Sequence, residues 1–279
     1  MNKEYDTLIL SGGGLKGFSI LGSLQYLYDN ENMQNIKKYV GCSVGTIISV
    51  LLILGYQPNE ILSEFISNQS LDDVNINIIQ GIQGKGFLDF DEITSIFEHM
   101  VKKKTGKIIN LSELEERYKC KVLSIAYNYS DRCECIISTE TFPDISVLAL
   151  IRMSSNVPFI FDIFNYRNKK YLDGFLISNF PIHLLEKTDT AIGISTCQNS
   201  ATSSFSRWDF FWNVLMIPLN ELQKVKNKES NDTCDVITLN VENYFSIHNF
   251  KGYSTLVDMF TTGYTCATNQ RNFVNKDNK

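Results

Sequence analysis

Gly41-Cys42-Ser43-Val44-Gly45 fits the pattern G-x-S-x-G, which places a serine at a sharp turn from strand to helix. The pattern has a mechanical cause. The turn holds the serine in a strained backbone conformation with its Oγ outward, and a Cβ two residues to either side would collide with neighbouring backbone. Such a serine can attack a carbonyl carbon if a nearby group takes its proton and amides stabilise the oxyanion. On the order of 0.1 such matches arise by chance in a chain of this length, so placement decides. Tyr39–Cys42 reads as a short strand, and Val44–Leu54 as a strongly apolar helix closed by Gly55.

A second motif, Ser11-Gly12-Gly13-Gly14-Leu15-Lys16-Gly17, lies between an apolar strand and a helix. Amides of Gly12, Gly13 and Gly14 could turn towards an oxyanion with no side chain in the way. Gly12, Gly14 and Gly17 also fit the dinucleotide fingerprint G-x-G-x-x-G. That rival wants an acidic residue at the end of the second strand, where this chain has Val40-Gly41-Cys42-Ser43, preceded by Lys37 and Lys38. A P-loop fails because no Lys-Ser or Lys-Thr follows Gly17. Two adjacent parallel strands would bring the glycine turn and Ser43 to one edge of a sheet.

The proton acceptor is less obvious. The chain has three histidines. His99 sits beside Met100 and a lysine run, His248 lies in an irregular stretch, and Phe180-Pro181-Ile182-His183 reads as a helix start. Asp173-Gly174 follows a strand; such a pair is most often only a turn. Three readings stay open on these residues: an esterase whose base is Asp173, an α/β-hydrolase triad in the order Ser43, Asp173, His183, and a non-catalytic nucleotide- or lipid-binding protein on a Rossmann-like sheet.

The elements that must position these residues follow from periodicity and turn chemistry. Tyr5–Ser11 reads as a first strand and Leu15–Tyr28 as a helix, and a βαβ unit implies a parallel sheet. Pro58 opens a further helix. Residues 70–88 read as loop, and Asp89–Lys104 and Ser112–Tyr118 as helices, the latter with a Ser112/Glu115 capping box. Lys121–Tyr129 and Cys133–Ser138 read as strands, and Asp144 as the cap of a helix through Met153. Phe161–Tyr166 and Lys169–Leu172 form a hairpin at Arg167-Asn168. Ala191–Thr196 and Val236–Val241 read as strands, and Arg207–Lys226 and Ser254–Asn275 as helices. Without repeats or a clear linker, residues 1–279 read as a single domain.

Hydrophobic residues make up 43% of the 279, enough for a sizeable core. A net charge of −5 argues against nucleic acid, which needs cations to neutralise phosphates. It also gives no global attraction to anionic membranes. Lys102–Lys104 and Lys169-Lys170 read as solvated faces. Seven cysteines without a CxxC pair read as reduced thiols rather than a disulfide framework or a metal site, and suggest a cytoplasmic setting. The first apolar run, Thr7–Leu10, is too short for a signal peptide. The longest, Val44–Tyr56, falls short of the roughly 20 residues that span a bilayer. Phe205-Ser206-Arg207-Trp208-Asp209-Phe210-Phe211-Trp212 reads first as a core-packing helix and second as a peripheral contact with lipid.

In chain order, the glycine turn, the elbow at Ser43, the segment Arg152-Met153-Ser154-Ser155-Asn156-Val157-Pro158-Phe159-Ile160-Phe161 and the Asp173-Gly174 pair resemble the patatin-like phospholipases, over about Tyr5 to Pro181. The resemblance implies a three-layer α/β sandwich, with a mainly parallel central sheet and helices on both faces. It implies hydrolysis of phospholipid or other acyl esters by a Ser43–Asp173 dyad, with amides of the glycine turn as oxyanion hole and no metal or cofactor. Two positions depart from the family pattern. Lys16 stands where arginine is usual, and Phe175 where a small residue usually follows Asp-Gly; both belong to the expected substrate side of the site. An exposed aspartate is a weak base, so burial must raise its pKa, and Tyr171, Leu172 and Phe175 could supply the apolar setting.

Overall fold

The computed structural model describes residues 3–67, 90–158, 160–197, 214, 216–223, 225, 234–240 and 253–277. The expected loop at 70–88 and the segment 205–212 lie outside the described residues.

The first strand, β1 (Thr7–Leu10), is buried along its whole length. Leu8 and Leu10 face one apolar cluster and Ile9 faces another. Burial on both faces makes a parallel strand a continuous apolar run. After a 3-10 turn (Gly14–Lys16) the chain enters α1 (Gly17–Asn30), then β2 (Lys38–Cys42), α2 (Val44–Ile53) and α3 (Pro58–Ser67). There follow α4 (Phe90–Thr105), α5 (Leu111–Tyr118), β3 (Lys121–Asn128), β4 (Cys133–Ile137), α6 (Val147–Ser154), β5 (Phe164–Tyr166) and β6 (Lys169–Asp173). Two 3-10 turns, β7 (Ala191–Cys197), helical residues 216–223, β8 (Cys234–Asn240) and α7 (Tyr253–Asp277) complete the order.

The strands form one sheet in the order β5-β6-β3-β2-β1-β7-β8, with β4 also pairing with β3. Five strands, β3-β2-β1-β7-β8, run parallel, and β4, β5 and β6 add an antiparallel edge. One face is covered by the large cluster that gathers side chains of α1, α2, α4, α6 and α7. The other is covered by Phe180 and Ile182 and, beside Cys42 and Ile125, by Phe175 and Met216 of the helical residues 216–223. This is the expected α/β sandwich with a mainly parallel sheet. Among the described residues no single helix is long and apolar enough to cross a membrane.

Local chemistry differs from the sequence reading at three points. The capping box belongs to Asn110 and Glu113 rather than Ser112 and Glu115. Asn110 Oδ1 accepts the Glu113 amide at 2.8 Å, and Glu113 accepts the Asn110 amide at 3.0 Å. Burial of Leu111 draws the helix start earlier, and the Ser112 hydroxyl donates to Pro143 O instead. Ser146, not Asp144, caps α6, accepting the Ala149 amide at 3.1 Å. His183 sits in a single 3-10 turn, Ile182–Leu184, that starts no longer helix. The hairpin between β5 and β6 turns as expected at Arg167 and Asn168, both at positive φ.

The C-terminal helix α7 is fixed to α1 by close backbone contact. A Cβ on Gly22 would stand 1.8 Å from Phe260 O, and one on Gly263 would stand 1.9 Å from Ser19 O. The Ser23 hydroxyl donates to Gly263 O at 2.8 Å. Arg271 reaches the end of α1, donating to both carboxylate oxygens of Glu31 and to the Tyr5 hydroxyl. We expect Gly22→Ala to force the two helices apart and to destabilise the protein by about 3 kcal/mol. Gly106→Ala, at an open site with φ +79°, should cost only about 1 kcal/mol from backbone strain. Thermal melts of the two variants check this, and equal losses would refute the tight crossing.

Candidate active site

Ser43 sits between β2 and α2 at φ 53° and ψ −124°. A non-glycine residue in the left-handed region is strained and must be held there by its surroundings. The glycines on either side show how. A Cβ on Gly41 would stand 2.7 Å from the Thr46 amide nitrogen, and one on Gly45 would stand 2.4 Å from Leu10 O. The Ser43 amide donates to Ser154 Oγ at 3.1 Å. Ser154 Oγ in turn donates to Ile125 O at 2.9 Å and meets the hydroxyls of Thr46 and Ser124 at 3.0 and 2.9 Å. A fully buried knot of three hydroxyls thus braces the elbow from beneath.

Asp173 ends β6, where it pairs with Ala126 of β3. Because β3 runs beside β2 with Ile125 opposite Cys42, the aspartate arrives level with the elbow. It is fully buried. Oδ1 accepts the Phe175 amide at 2.9 Å and the Cys42 thiol at 3.8 Å. Oδ2 is buried with no hydrogen-bond partner among the described residues. Burial pushes the Asp173 pKa up to about 7, against the opposing pull of the Phe175 amide, the Ser43 hydroxyl and the Cys42 thiol. Tyr171, Leu172 and Phe175 are all buried, and Phe175 packs with Cys42, Ile125 and Met216. The Asp173 amide donates to Asn156 O, and Asn156 Nδ2 donates to Tyr171 O, each at 2.9 Å.

The glycine turn stands on the other side of Ser43, since β1 and β2 are parallel with Leu10 opposite Gly41. A Cβ on Gly12 would come 3.2 Å from Ser43 Cβ and 2.5 Å from Asn179 Oδ1. The Gly12 amide already donates to Asn179 O at 2.9 Å. Gly12 O accepts from Thr196 Oγ1 at 2.8 Å and from Asn179 Nδ2 at 3.3 Å. Gly14 adopts φ 55°. Lys16 is buried at the end of the turn, its amide donating to Gly13 O at 3.1 Å. Gly17 provides close packing: a Cβ there would meet Val44 at 2.4 Å.

The structure therefore gathers Ser43, Asp173, Gly12, Gly13, Gly14 and Phe175 at one sheet edge, with Lys16 closing the glycine turn. It does not bring His183 to them. The His183 ring pairs with Glu134 on β4, Nε2 to Oε1 3.0 Å, and among the described residues no hydrogen bond links it to Ser43 or Asp173. His99 lies in α4, and His248 is outside the described residues. Sequence reasoning missed Thr46, Ser124, Asn179 and Thr196, and quoted Ser154 and Asn156 without a role. Thr46 had a visible signal: it and Ser49 are the two hydroxyls inside an otherwise apolar helix.

Comparison with known proteins identifies the family. The family model of patatin-like phospholipases matches residues 8–186, more than half of the chain. A probable lipid hydrolase, 463L, of Invertebrate iridescent virus 6 is 30% identical over 234 residues, covering 78% of this chain and 79% of that protein. The uncharacterized protein R571 of Acanthamoeba polyphaga mimivirus is 29% identical over 198 residues, covering 69% and 65%. Among solved structures, VipD of Legionella pneumophila superposes with a TM-score of 0.53 at 16% identity, over 96% of this chain and 66% of VipD. The type III effector ExoU of Pseudomonas aeruginosa superposes with a TM-score of 0.54 at 12% identity, over 96% of this chain and 53% of ExoU. The chain thus spans just under two thirds of the first of these structures and about half of the second. Fold, ordered motifs and family match converge: the chain belongs to the patatin-like phospholipase family.

Proposed function

We propose that the protein hydrolyses acyl esters of phospholipids through a Ser43–Asp173 dyad. One carboxylate carries the reading. Asp173 is buried beside a strained serine, is pushed up to about 7, and has an Oδ2 with no hydrogen-bond partner among the described residues. A general base works best when its pKa lies near the working pH, and a buried polar atom left unpaired in a native fold asks for an explanation. Accepting the Ser43 proton is that explanation.

In the proposed reaction Ser43 Oγ attacks the ester carbonyl carbon while its proton passes to Asp173. The oxyanion is held by the Gly13 and Gly14 amides and by the N-terminus of α2. Gly12, whose own amide is committed to Asn179 O, contributes by lacking a side chain next to Ser43. Collapse of the intermediate expels the alcohol, which takes the proton from Asp173 and leaves as lysophospholipid. Asp173 then takes a proton from water as the hydroxide attacks the acyl-enzyme; the second intermediate collapses, Ser43 Oγ takes the proton back from Asp173, and the fatty acid departs. These steps need no metal or cofactor. Lys16 supports the glycine turn, and the Phe175 ring forms part of the apolar wall on the substrate side. Residues 1–279 would act as one domain in the cytoplasm, in peripheral contact with a lipid surface.

Incubated with a mixed lipid extract, the protein should release free fatty acid and lysophospholipid, read by mass spectrometry. Ser43→Ala should lower that release by at least about 1000-fold. Release that persists in Ser43→Ala would overturn the proposal. In the wild type, kcat/KM should fall as pH drops through about 7, since a protonated Asp173 cannot accept the serine proton; an acid limb near pH 4 would argue for another base.

The same carboxylate sets a stability prediction. The folded pKa lies above the ordinary value of 3.8, so the folded protein binds the proton more tightly than the unfolded chain. The cost of burial is absent below pH 3.8, grows as pH rises, and is complete above about 7, where it reaches on the order of 4 kcal/mol. Asp173→Asn keeps the shape and removes the charge. It should abolish activity yet raise Tm by several degrees at pH 8, with little change at pH 4. A lower Tm at pH 8 would mean that the ionised carboxylate stabilises the fold.

A further inference from the structure

Two side chains outside the dyad converge on one carbonyl oxygen of the glycine turn. Gly12 O accepts the Thr196 hydroxyl at 2.8 Å and the Asn179 amide group at 3.3 Å. Each of these residues is itself anchored. Thr196 lies near the end of β7, next to β1, and its amide donates to Ser11 Oγ at 2.9 Å. Ser11 Oγ also lies 3.2 Å from Thr196 Oγ1. Asn179 O accepts the Gly12 amide at 2.9 Å. The peptide between Gly12 and Gly13 is planar and trans, so its C=O and N–H point in opposite directions. Fixing the oxygen therefore fixes where the Gly13 N–H points, and hydrogen bonds to that oxygen also polarise the N–H at the other end.

We infer that Thr196 and Asn179 are positioning residues that aim and strengthen the Gly13 amide as an oxyanion donor. The inference rests on the proposed acyl-transfer reaction and adds the device that holds its electrostatic half. Glycine explains why such a device is needed. Three consecutive glycines leave the turn with few steric limits, and a donor that must reorganise as charge develops stabilises that charge poorly. Gly12 cannot be braced through a side chain, because a Cβ would run into Asn179 Oδ1 and Ser43. The backbone carbonyl is the handle that remains, and β7 and the segment after Asp173 both reach it. Asn179 also joins the glycine turn to the segment that follows the carboxylate, six residues after Asp173 in the chain.

The test uses the full chain and a water-soluble short-chain p-nitrophenyl ester, with kcat and KM measured separately. Thr196→Val keeps the shape and removes the hydroxyl donor. It should lower kcat about 10-fold with KM within twofold, as expected for a group felt only in the transition state. Thr196→Ser keeps the donor and should recover most of kcat. Thr196→Val combined with Asn179→Ala should lower kcat about 100-fold. An unchanged kcat in Thr196→Val and in the double variant, or a rise in KM alone, would overturn the inference. So would equal losses in Thr196→Ser and Thr196→Val, since the hydroxyl would then not be what matters. Ser43→Ala in the same assay separates the two levels. If it is inactive while the Thr196 and Asn179 variants are unaffected, only this inference fails. If it turns over normally, the acyl-transfer reading fails with it.

Discussion

Gly45 lies so close to the end of β1 that a Cβ there would stand 2.4 Å from Leu10 O and 2.7 Å from Ser11 O. That contact locks the first turn of α2 against the neighbouring strand and fixes where the elbow can be. With α2 pressed onto β1, the chain leaving β2 must turn within one residue, and Ser43 is driven to positive φ. The glycine turn then falls beside Ser43 because β1 and β2 are in parallel register. Gly17 repeats the principle one layer out, letting α1 approach Val44. Gly45 and Gly17, with no chemistry of their own, thus place the elbow and the helix that follows the glycine turn.

The carboxylate obeys a different physics. A serine–histidine pair draws on a base whose ordinary pKa already lies near neutrality. Asp173 reaches the same range only because it is sealed from water. Desolvation disfavours the charge, and the nearby Phe175 amide, Ser43 hydroxyl and Cys42 thiol pull the other way. The result is a compromise in which burial wins. Such a group costs the folded state free energy at neutral pH, and the surrounding core must offset it. The setting that raises the pKa, with Phe175 packed on Cys42, Ile125 and Met216, is therefore part of the chemistry as well as part of the core. The place of Phe175 in that cluster accounts for a large residue after Asp-Gly: its amide holds Oδ1 while its ring excludes water.

Much of this was legible in the chain. The alternation of strand, glycine turn, helix, strand and elbow is local, and each part carries its own signature in glycine spacing or apolar periodicity. The Asp173-Gly174 pair was ambiguous as sequence, because the same dipeptide makes ordinary turns. Only the register of β6 against β3 brings it level with Cys42. Thr46 apart, the braces were not legible. Ser154, Asn156, Asn179 and Thr196 act through a few hydrogen bonds to groups distant in sequence, and one hydroxyl or amide in a polar segment gives no periodic signal. The helix caps were missed for a related reason. Asn110 and Ser112, or Asp144 and Ser146, are equally competent caps, and tertiary burial of Leu111 and Val147 decides which one is used.

The sheet is parallel in its centre and antiparallel at one edge, and the site straddles the junction. Ser43 and the glycine turn belong to the parallel part, held by β1, β2 and β7, whereas Asp173 comes from the antiparallel part through β6. Two groups on separately built frames would drift relative to each other with every change in sheet twist. The chain end of α6 removes that freedom. Ser154 Oγ accepts the amide of Ser43, and two residues later Asn156 O accepts the amide of Asp173. A single short segment therefore holds the backbone of both reacting residues, so that their relative position is set locally by three residues rather than across the width of the sheet. Proton transfer is sensitive to donor–acceptor distance, and a brace of this kind maintains that distance while the rest of the molecule moves.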